Sequence, residues 1–335
     1  MSAGRQRRET EDSGEGPEAP AERLKFDIAR GLENVPVSAW PPGAWPEPFQ
    51  YSPDLVAGPG ADSDPSQLSF PGCECLERPC LPGSCSCLRH GDNYDDNLCL
   101  LDLDSTGATC ARPVFECHAL CPCGEDCRNR LVQRGLQVQL QVFQTDAKGW
   151  GLRTLDPIPR GRFICEYAGE LLGSAEAQRR SGLQGLRDPN YIQAVREHAS
   201  GGQVLETFVD PARVGNVGRF LNHSCEPNLL MLPVRVHSMV PRLALFAARD
   251  ILPGEELSYD YSGRFRNGPG AEEEERLEPG MPRKPCYCGT VSCTAFLPYD
   301  SSLYPSSLKP PIPDEGGRSI GESPPSPRPC DLWNM

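Results

Sequence analysis

The amino-acid sequence predicts a mainly β fold with short helices and long connections, and three observations carry that expectation. Short stretches of alternating or β-branched apolar residues recur between turn residues. Among the 335 residues glycine (33) and proline (36) are abundant while aromatics reach only 7%, a mixture that favours loops over a helical bundle. Seventeen cysteines are present, and most fall into three tight groups.

Taken in chain order, Met1–Arg23 is polar, too poor in apolar side chains to bury a core. It contains no hydrophobic segment of the secretory-signal type. No apolar run reaches the roughly 18 residues a membrane helix needs, so a soluble, intracellular protein without membrane contact is expected. From Leu24 to Trp45, Leu32, Val35, Val37, Trp40 and Trp45 return amid prolines, a stretch suited to irregular packing on a core. Asp54–Ser69 reads as a linker rich in Gly, Pro, Asp and Ser. Residues 1–72 are thus expected to form a disordered, Pro-rich N-terminal region. After two cysteine groups, Leu136, Val138, Leu140 and Val142 alternate with period two, as in a half-buried strand. Arg162–Tyr167, Thr207–Asp210, Leu243–Ala248 and Glu256–Tyr261 are further strand candidates. Turns are marked by Lys148-Gly149, Asp156-Pro157 and Pro253-Gly254. A helix is expected to start near Ser174, with the serine as N-cap and Glu176 in the first turn. Glu272–Glu275 mark an acidic insert over 264–282, and residues 301–335 form a Pro- and Ser-rich tail expected to be disordered.

The first cysteine group reads Cys73-x-Cys75-x4-Cys80-x4-Cys85-x-Cys87, and the second Cys117-x3-Cys121-x-Cys123-x3-Cys127. Three separate tetrahedral zinc sites need twelve ligand positions, and these nine sulfurs fall short. If three of them each bridge two metals, the count closes on a triangular three-zinc cluster. Buried free thiols, two independent zinc knuckles and a disulfide framework are the alternatives, and a reducing compartment favours metal. The third group, Cys286-x-Cys288-x4-Cys293, lacks one ligand for a fourth zinc, and Cys225 is the candidate. Cys99, Cys110, Cys165 and Cys330 are then left as thiols without a special role, and His90 and His118 are not needed as ligands.

The formal net charge of −13 argues against a broad grip on DNA phosphates. No direct sequence-specific DNA binding is expected, and the charge suits a basic partner instead.

Between and around the cysteine groups lie three further motifs: Lys148-Gly149-Trp150-Gly151-Leu152-Arg153, Arg219-Phe220-Leu221-Asn222-His223-Ser224-Cys225-Glu226-Pro227-Asn228, and Glu255-Glu256-Leu257-Ser258-Tyr259-Asp260-Tyr261. In this order, over about residues 73–300, they resemble the pre-SET, SET and post-SET arrangement of the histone-lysine methyltransferases. The resemblance implies a SET-domain β-fold with knotted-like threading, in which the Asn222-His223 segment passes beneath a neighbouring loop. It places a pre-SET zinc cluster at 73–135, a catalytic SET domain at 136–263 and a post-SET segment at 283–300. S-adenosylmethionine is the implied cofactor, held by Lys148, Gly149, Trp150, Tyr191, Arg219, Asn222 and His223. A histone tail or nucleosome is the implied substrate, which implies a nuclear, chromatin-bound protein; Arg5-Gln6-Arg7-Arg8 is a weak import signal. The sequence does not read out an oligomeric state.

Methyl transfer from a sulfonium is an in-line displacement, so alignment is the main catalytic task. The attacking lysine must be neutral although its ordinary pKa is near 10.4. A dry aromatic channel beside a positive sulfonium disfavours the ammonium form through desolvation and like charge. Tyr261 is assigned the catalytic position and Tyr167 the opposite wall. Tyr259 stands where the family's phenylalanine leaves room for a third methyl, so mono- and dimethylation are the expected products. A catalytically weak zinc scaffold, or a methyltransferase of non-histone proteins, is the alternative reading.

Overall fold

The computed structural model describes residues 26–75, 80–101, 113–185, 188–189, 191–198, 202–262 and 283–304. In chain order the strands begin with β1 (Ser38–Trp40), β2 (Gln50–Tyr51), β3 (Val56–Ala57) and β4 (Val114–Phe115). They continue with β5 (Leu140–Gln144), β6 (Trp150–Thr154), β7 (Phe163–Glu166) and β8 (Gly169–Leu172). The single α-helix among the described residues, α1 (Ser174–Leu183), precedes β9 (Gln193–His198), β10 (Val204–Gly215) and β11 (Asn222–His223). The remainder is β12 (Leu229–Arg235), β13 (Arg242–Ala247) and β14 (Glu256–Tyr259).

Three sheets result: β1-β5-β6-β14-β11, β2-β10-β8-β3 with β9 added to β10, and β4-β12-β13-β7. All four residues of β7 and nearly all of β13 are buried, which explains why their apolar runs are continuous rather than alternating. A large core joins Ile28 and Val37 near the N-terminus to Val142, Leu152, Leu243 and Leu257 in the body. The expected mainly β class with short helices is what forms.

Several sequence expectations are corrected here. The N-terminal region is built into the fold from residue 26 on. β1 pairs with β5, β2 with β10 and β3 with β8, all in parallel. Val56 and Ala57 thus turn the expected linker into a sheet edge, while Leu32, Trp40 and Trp45 remain largely exposed. Leu136 and Val138 are buried but precede the strand, which begins only at Leu140. Ser174 is the first helical residue of α1 and Gly173 its N-cap, without a side-chain cap bond. A Cβ at Gly173 would lie 2.1 Å from the Gly60 carbonyl oxygen, so the close approach of the β3 segment selects glycine over a capping side chain. At the far end, Ser301–Leu303 form a 3-10 turn whose Leu303 packs with Ala177 of α1 and Phe208 of β10. The acidic insert at 264–282 and the tail beyond 304 lie outside the described residues, as do Met1–Arg23, Cys110 and Cys330.

Candidate active site

The hairpin between β5 and β6 carries Lys148, Gly149 and Trp150. Thr145 closes it, its backbone N–H and its hydroxyl both donating to the Gly149 carbonyl at 2.8 Å. Gly149 has φ +72, a left-handed conformation that side chains resist. Beside this turn, β11 pairs in parallel with β14, setting Asn222 opposite Ser258 and His223 opposite Tyr259. Asn222 Nδ2 donates to the Trp150 carbonyl at 3.2 Å and to Glu256 Oε1 at 3.0 Å. Lys148 Nζ meets the other Glu256 oxygen at 2.7 Å. Asn228 clamps the same strand, donating to the Glu256 carbonyl and accepting from the Ser258 N–H. The residues expected from the first and second motifs therefore converge, and Glu256 joins them.

His223 is 5% exposed. Its Nδ1 accepts from the Tyr261 backbone N–H at 3.2 Å, so the acceptor nitrogen is unprotonated. Burial lowers its pKa, with Lys148 adding to the shift and Asp260 opposing it.

Three tyrosines follow in contact. The ring centroids of Tyr259 and Tyr261 lie 4.9 Å apart, and those of Tyr167 and Tyr259 5.7 Å apart. Each hydroxyl donates to a protein acceptor: Tyr261 to the Leu221 carbonyl at 2.6 Å, Tyr167 to the Tyr191 carbonyl at 2.6 Å, and Tyr259 to Gln193 Oε1 at 3.0 Å. Burial, foremost among the causes, raises all three phenols above their ordinary pKa. They are therefore neutral at physiological pH, with oxygen lone pairs left to accept. Tyr191 supplies more than that carbonyl, since its ring lies 4.9 Å from the Arg219 guanidinium. Arg219 also stacks on Phe49 at 4.1 Å and donates to the Pro211 and Ala212 carbonyls. Desolvation lowers its pKa, yet an arginine stays charged.

Sequence reasoning assigned no role to Gln193, Phe49 or Glu256. Glu256 stood inside a quoted motif, while Phe49 and Gln193 carry no local signal.

The cysteines form a core of their own. Cys73, Cys80, Cys85, Cys87, Cys117, Cys121, Cys123 and Cys127 are buried together with Leu88, and Cys75 packs against them. None of these cysteines is in a disulfide. Sγ···Sγ separations are 3.8 Å for Cys87–Cys121, 3.9 Å for Cys80–Cys117 and 4.0 Å for Cys85–Cys117. The edge of a tetrahedron with metal–sulfur bonds of about 2.3 Å is about 3.8 Å, so the spacing fits thiolates around zinc and is nearly twice a disulfide bond. Cys73 belongs to three groups of four sulfurs lying within 4.8 Å of one another, and Cys80, Cys85 and Cys117 each to two. Shared membership is what bridging sulfurs require. A further such group joins Cys225 to Cys286, Cys288 and Cys293, the fourth sulfur the spacing lacked. His118 is not in these groups and its Nε2 lies 3.4 Å from the Pro71 carbonyl. Of the leftover thiols, Cys165 is buried in the main core and Cys99 is partly exposed.

Beside the glycine turn, a strand-held asparagine–histidine pair adjoins a row of three tyrosines, and the Cys225 sulfur lies next to His223. Residues 149–262 match the SET domain and residues 29–130 the Pre-SET motif, and the chain belongs to the SET-domain histone-lysine N-methyltransferases, S-adenosylmethionine-dependent enzymes. Among relatives, the Bos taurus protein named histone-lysine N-methyltransferase SETMAR is 70% identical over 302 residues, which are 90% of this chain and 98% of the relative. The crystal structure of the methyltransferase domain of human SETMAR superposes with a TM-score of 0.73 at 63% identity, covering 82% of this chain and 98% of that one. KRYPTONITE, solved in complex with mCHH DNA, an H3(1-15) peptide and SAH, matches with a TM-score of 0.61 at 30% identity, covering 81% of this chain and 53% of the other.

Proposed function

We propose that this chain transfers methyl groups to a lysine side chain of a histone tail, stopping mainly at the mono- and dimethyl products, in the nucleus on chromatin. The observation that supports this most directly is the row of buried Tyr167 and Tyr259 and half-buried Tyr261 set against the Asn222–His223 strand. S-adenosylmethionine, when bound, supplies an electrophilic methyl group carried by a sulfonium. Backbone groups of Lys148, Gly149 and Trp150, with Asn222 and His223, are the residues to hold it, and Tyr191 and Arg219 lie alongside.

Burial among three rings disfavours the ammonium form of an entering lysine, so the channel favours the neutral amine. Because the Tyr261 hydroxyl donates its proton to the Leu221 carbonyl, its lone pairs accept from the amine N–H and aim the nitrogen. Tyr167 lines the opposite wall, its hydroxyl fixed by the Tyr191 carbonyl. Tyr259, tied to Gln193, limits the volume available to a third methyl. The neutral phenols make these tyrosines orienting groups rather than bases.

The zinc count follows the sulfur arithmetic. The nine cysteines from Cys73 to Cys127 would hold three zinc ions and organise that segment. Cys225, Cys286, Cys288 and Cys293 would hold a fourth, which would pin the post-SET segment beside His223.

The test exposes zinc-replete protein to radiolabelled cofactor with nucleosomes, free histones and a Tyr261→Phe control. A hydrogen bond to a charged or reacting group contributes roughly 1.5–3 kcal/mol, so the variant should lose about 10- to 100-fold in rate. Undiminished label in the Tyr261→Phe protein would remove this residue from the mechanism. No histone label despite cofactor binding would move the substrate to another protein.

A further inference from the structure

Arg219 carries a charge that the fold buries without a counter-ion. Only 8% of the residue is exposed, and among the described residues its hydrogen bonds go to neutral carbonyls, Nε to Pro211 at 3.2 Å and Nη2 to Ala212 at 3.3 Å. Nη1 donates to none of them. Buried charges are ordinarily paired, and the carboxylates whose charge reaches Arg219 are Glu47 and Asp210. Asp210 is already engaged, by Arg180 Nη1 at 2.7 Å and by the Ala212 N–H at 3.0 Å. Glu47 is exposed to solvent, which screens it.

Three aromatic rings stand where a carboxylate is expected. Phe49 is the closest of them, 4.1 Å from ring centroid to guanidinium carbon, followed by Tyr191 at 4.9 Å and Phe220 at 5.1 Å. A ring face attracts a cation without neutralising it and leaves the in-plane N–H donors unused. The guanidinium is thus fixed by two carbonyls and by rings, while the Nη1 edge stays open to an anion. A planar carboxylate matches such an edge.

Phe49 alone of the three comes from outside the residues 149–262 that match the SET domain. Its position follows from strand pairing. β2, immediately after it, lies parallel to the end of β10, with Gln50 opposite Val214 and Tyr51 opposite Gly215. Tyr51 is buried, and its ring lies 6.1 Å from that of Phe49. Phe220 meets Phe49 edge-on at 5.8 Å. Arg219 in turn occupies the 3-10 turn Val217–Phe220 that leads into Asn222 and His223 of β11, and the Tyr191 carbonyl holds the Tyr167 hydroxyl. Phe49 therefore reaches the candidate active site through a single side chain.

We propose that Phe49 is a positioning residue for S-adenosylmethionine. It keeps the Arg219 guanidinium oriented and without a counter-ion, so that the open edge receives the carboxylate of the cofactor's amino-acid end. The inference rests on Arg219 lying alongside the bound cofactor, and it makes affinity depend on the N-terminal segment as well as on the SET motifs.

Isothermal titration of the full, zinc-replete chain with S-adenosylhomocysteine and its decarboxylated analogue tests it. The wild-type chain should bind S-adenosylhomocysteine more tightly. Phe49→Leu keeps an apolar side chain but removes the ring, so affinity for S-adenosylhomocysteine should fall about 3- to 20-fold. Affinity for the decarboxylated analogue should hold, which a general loss of packing would not permit. Phe49→Tyr keeps the ring face and should bind both ligands as the wild type does. Should Phe49→Leu fail to fold, Phe49→Met, equally ringless, carries the same expectation. Unchanged S-adenosylhomocysteine affinity in the ringless variants, or equal losses for the two ligands, would overturn the proposal. So would a decarboxylated analogue that binds the wild-type chain as tightly as S-adenosylhomocysteine does. A wild-type chain that binds neither ligand would overturn the cofactor reading on which the proposal rests.

Discussion

At the residue scale, the proposed lysine channel depends on where three phenolic protons go. Each is donated to a fixed protein acceptor, and burial keeps each phenol neutral. The Tyr259 hydroxyl is the informative one, because its partner Gln193 is a side chain and its ring touches both other tyrosines. Tyr259→Phe removes that oxygen and its bond, freeing space at the channel end. Trimethyl product should then rise several-fold relative to dimethyl product, read by mass spectrometry of a methylated histone peptide. An unchanged product ratio would show that Tyr259 does not limit the methyl count. His223 adds orientation rather than charge, since burial holds its imidazole neutral while Nδ1 accepts from the Tyr261 backbone.

Among the elements, the cysteine segment has sulfur where other folds have aliphatic side chains, with Leu88 alone beside the nine cysteines among the described residues of that cluster. Structural zinc supplies roughly 10–16 kcal/mol to small zinc peptides, a scale that exceeds what one leucine provides. A strong chelator should therefore unfold residues 73–127, seen as lost amide-exchange protection there before protection falls in β12 and β13. Intact protection after zinc removal would mean that thiol packing alone holds the segment. Glu116 ties this segment to the body. Its buried carboxylate accepts from the Tyr94 hydroxyl, from the backbone N–H groups of Leu131 and Val132, and from Gln133 Nε2. Gln133 Nε2 keeps the Cys117 carbonyl, but Glu116→Ala leaves the Tyr94 hydroxyl and the Leu131 and Val132 N–H groups without this acceptor, at roughly 1–3 kcal/mol each. A loss of at least about 3 kcal/mol in denaturant unfolding is expected; a change within about 0.5 kcal/mol would show that water replaces the carboxylate.

For the whole molecule, the N-terminal segment is an integral layer. Its three short strands cover the edges of β5, β10 and β8, and Ile28, Val37 and Tyr51 enter the main core. Phe49 from the same segment stacks on Arg219 at 4.1 Å. Deleting residues 1–57 would expose unpaired edges, which invite aggregation. The truncated chain should be insoluble or lose cofactor affinity. A soluble, fully active 58–335 protein would contradict this account.

How much was legible in advance depends on the range of the interaction. Cysteine spacing showed the metal chemistry because ligands for one ion must sit close along the chain or be counted as missing, and the missing sulfur led to Cys225. The motifs around Lys148, Asn222 and Tyr261 were legible for a similar reason, since each is a short run whose residue types are set by local geometry and chemistry. Alternation located β5, and β-rich apolar runs located β7, β13 and β14. The helix start was misplaced by one residue because a neighbouring backbone, at Gly60, excluded a side chain at Gly173. β3 was misread as linker, and β1 and β2 as parts of a disordered region, because strands of two or three residues have no period to detect. Pairing across long separations was beyond reach as well. Lys148 meets Glu256 across 108 residues and Tyr259 meets Gln193 across 66. The sequence alone thus determined the family and located the cysteine groups and the short motifs, whereas the tertiary structure decided which edges pair, what fixes each tyrosine hydroxyl and which sulfurs come within 4.8 Å of one another. Those outcomes depend on packing between distant segments, which no local pattern encodes.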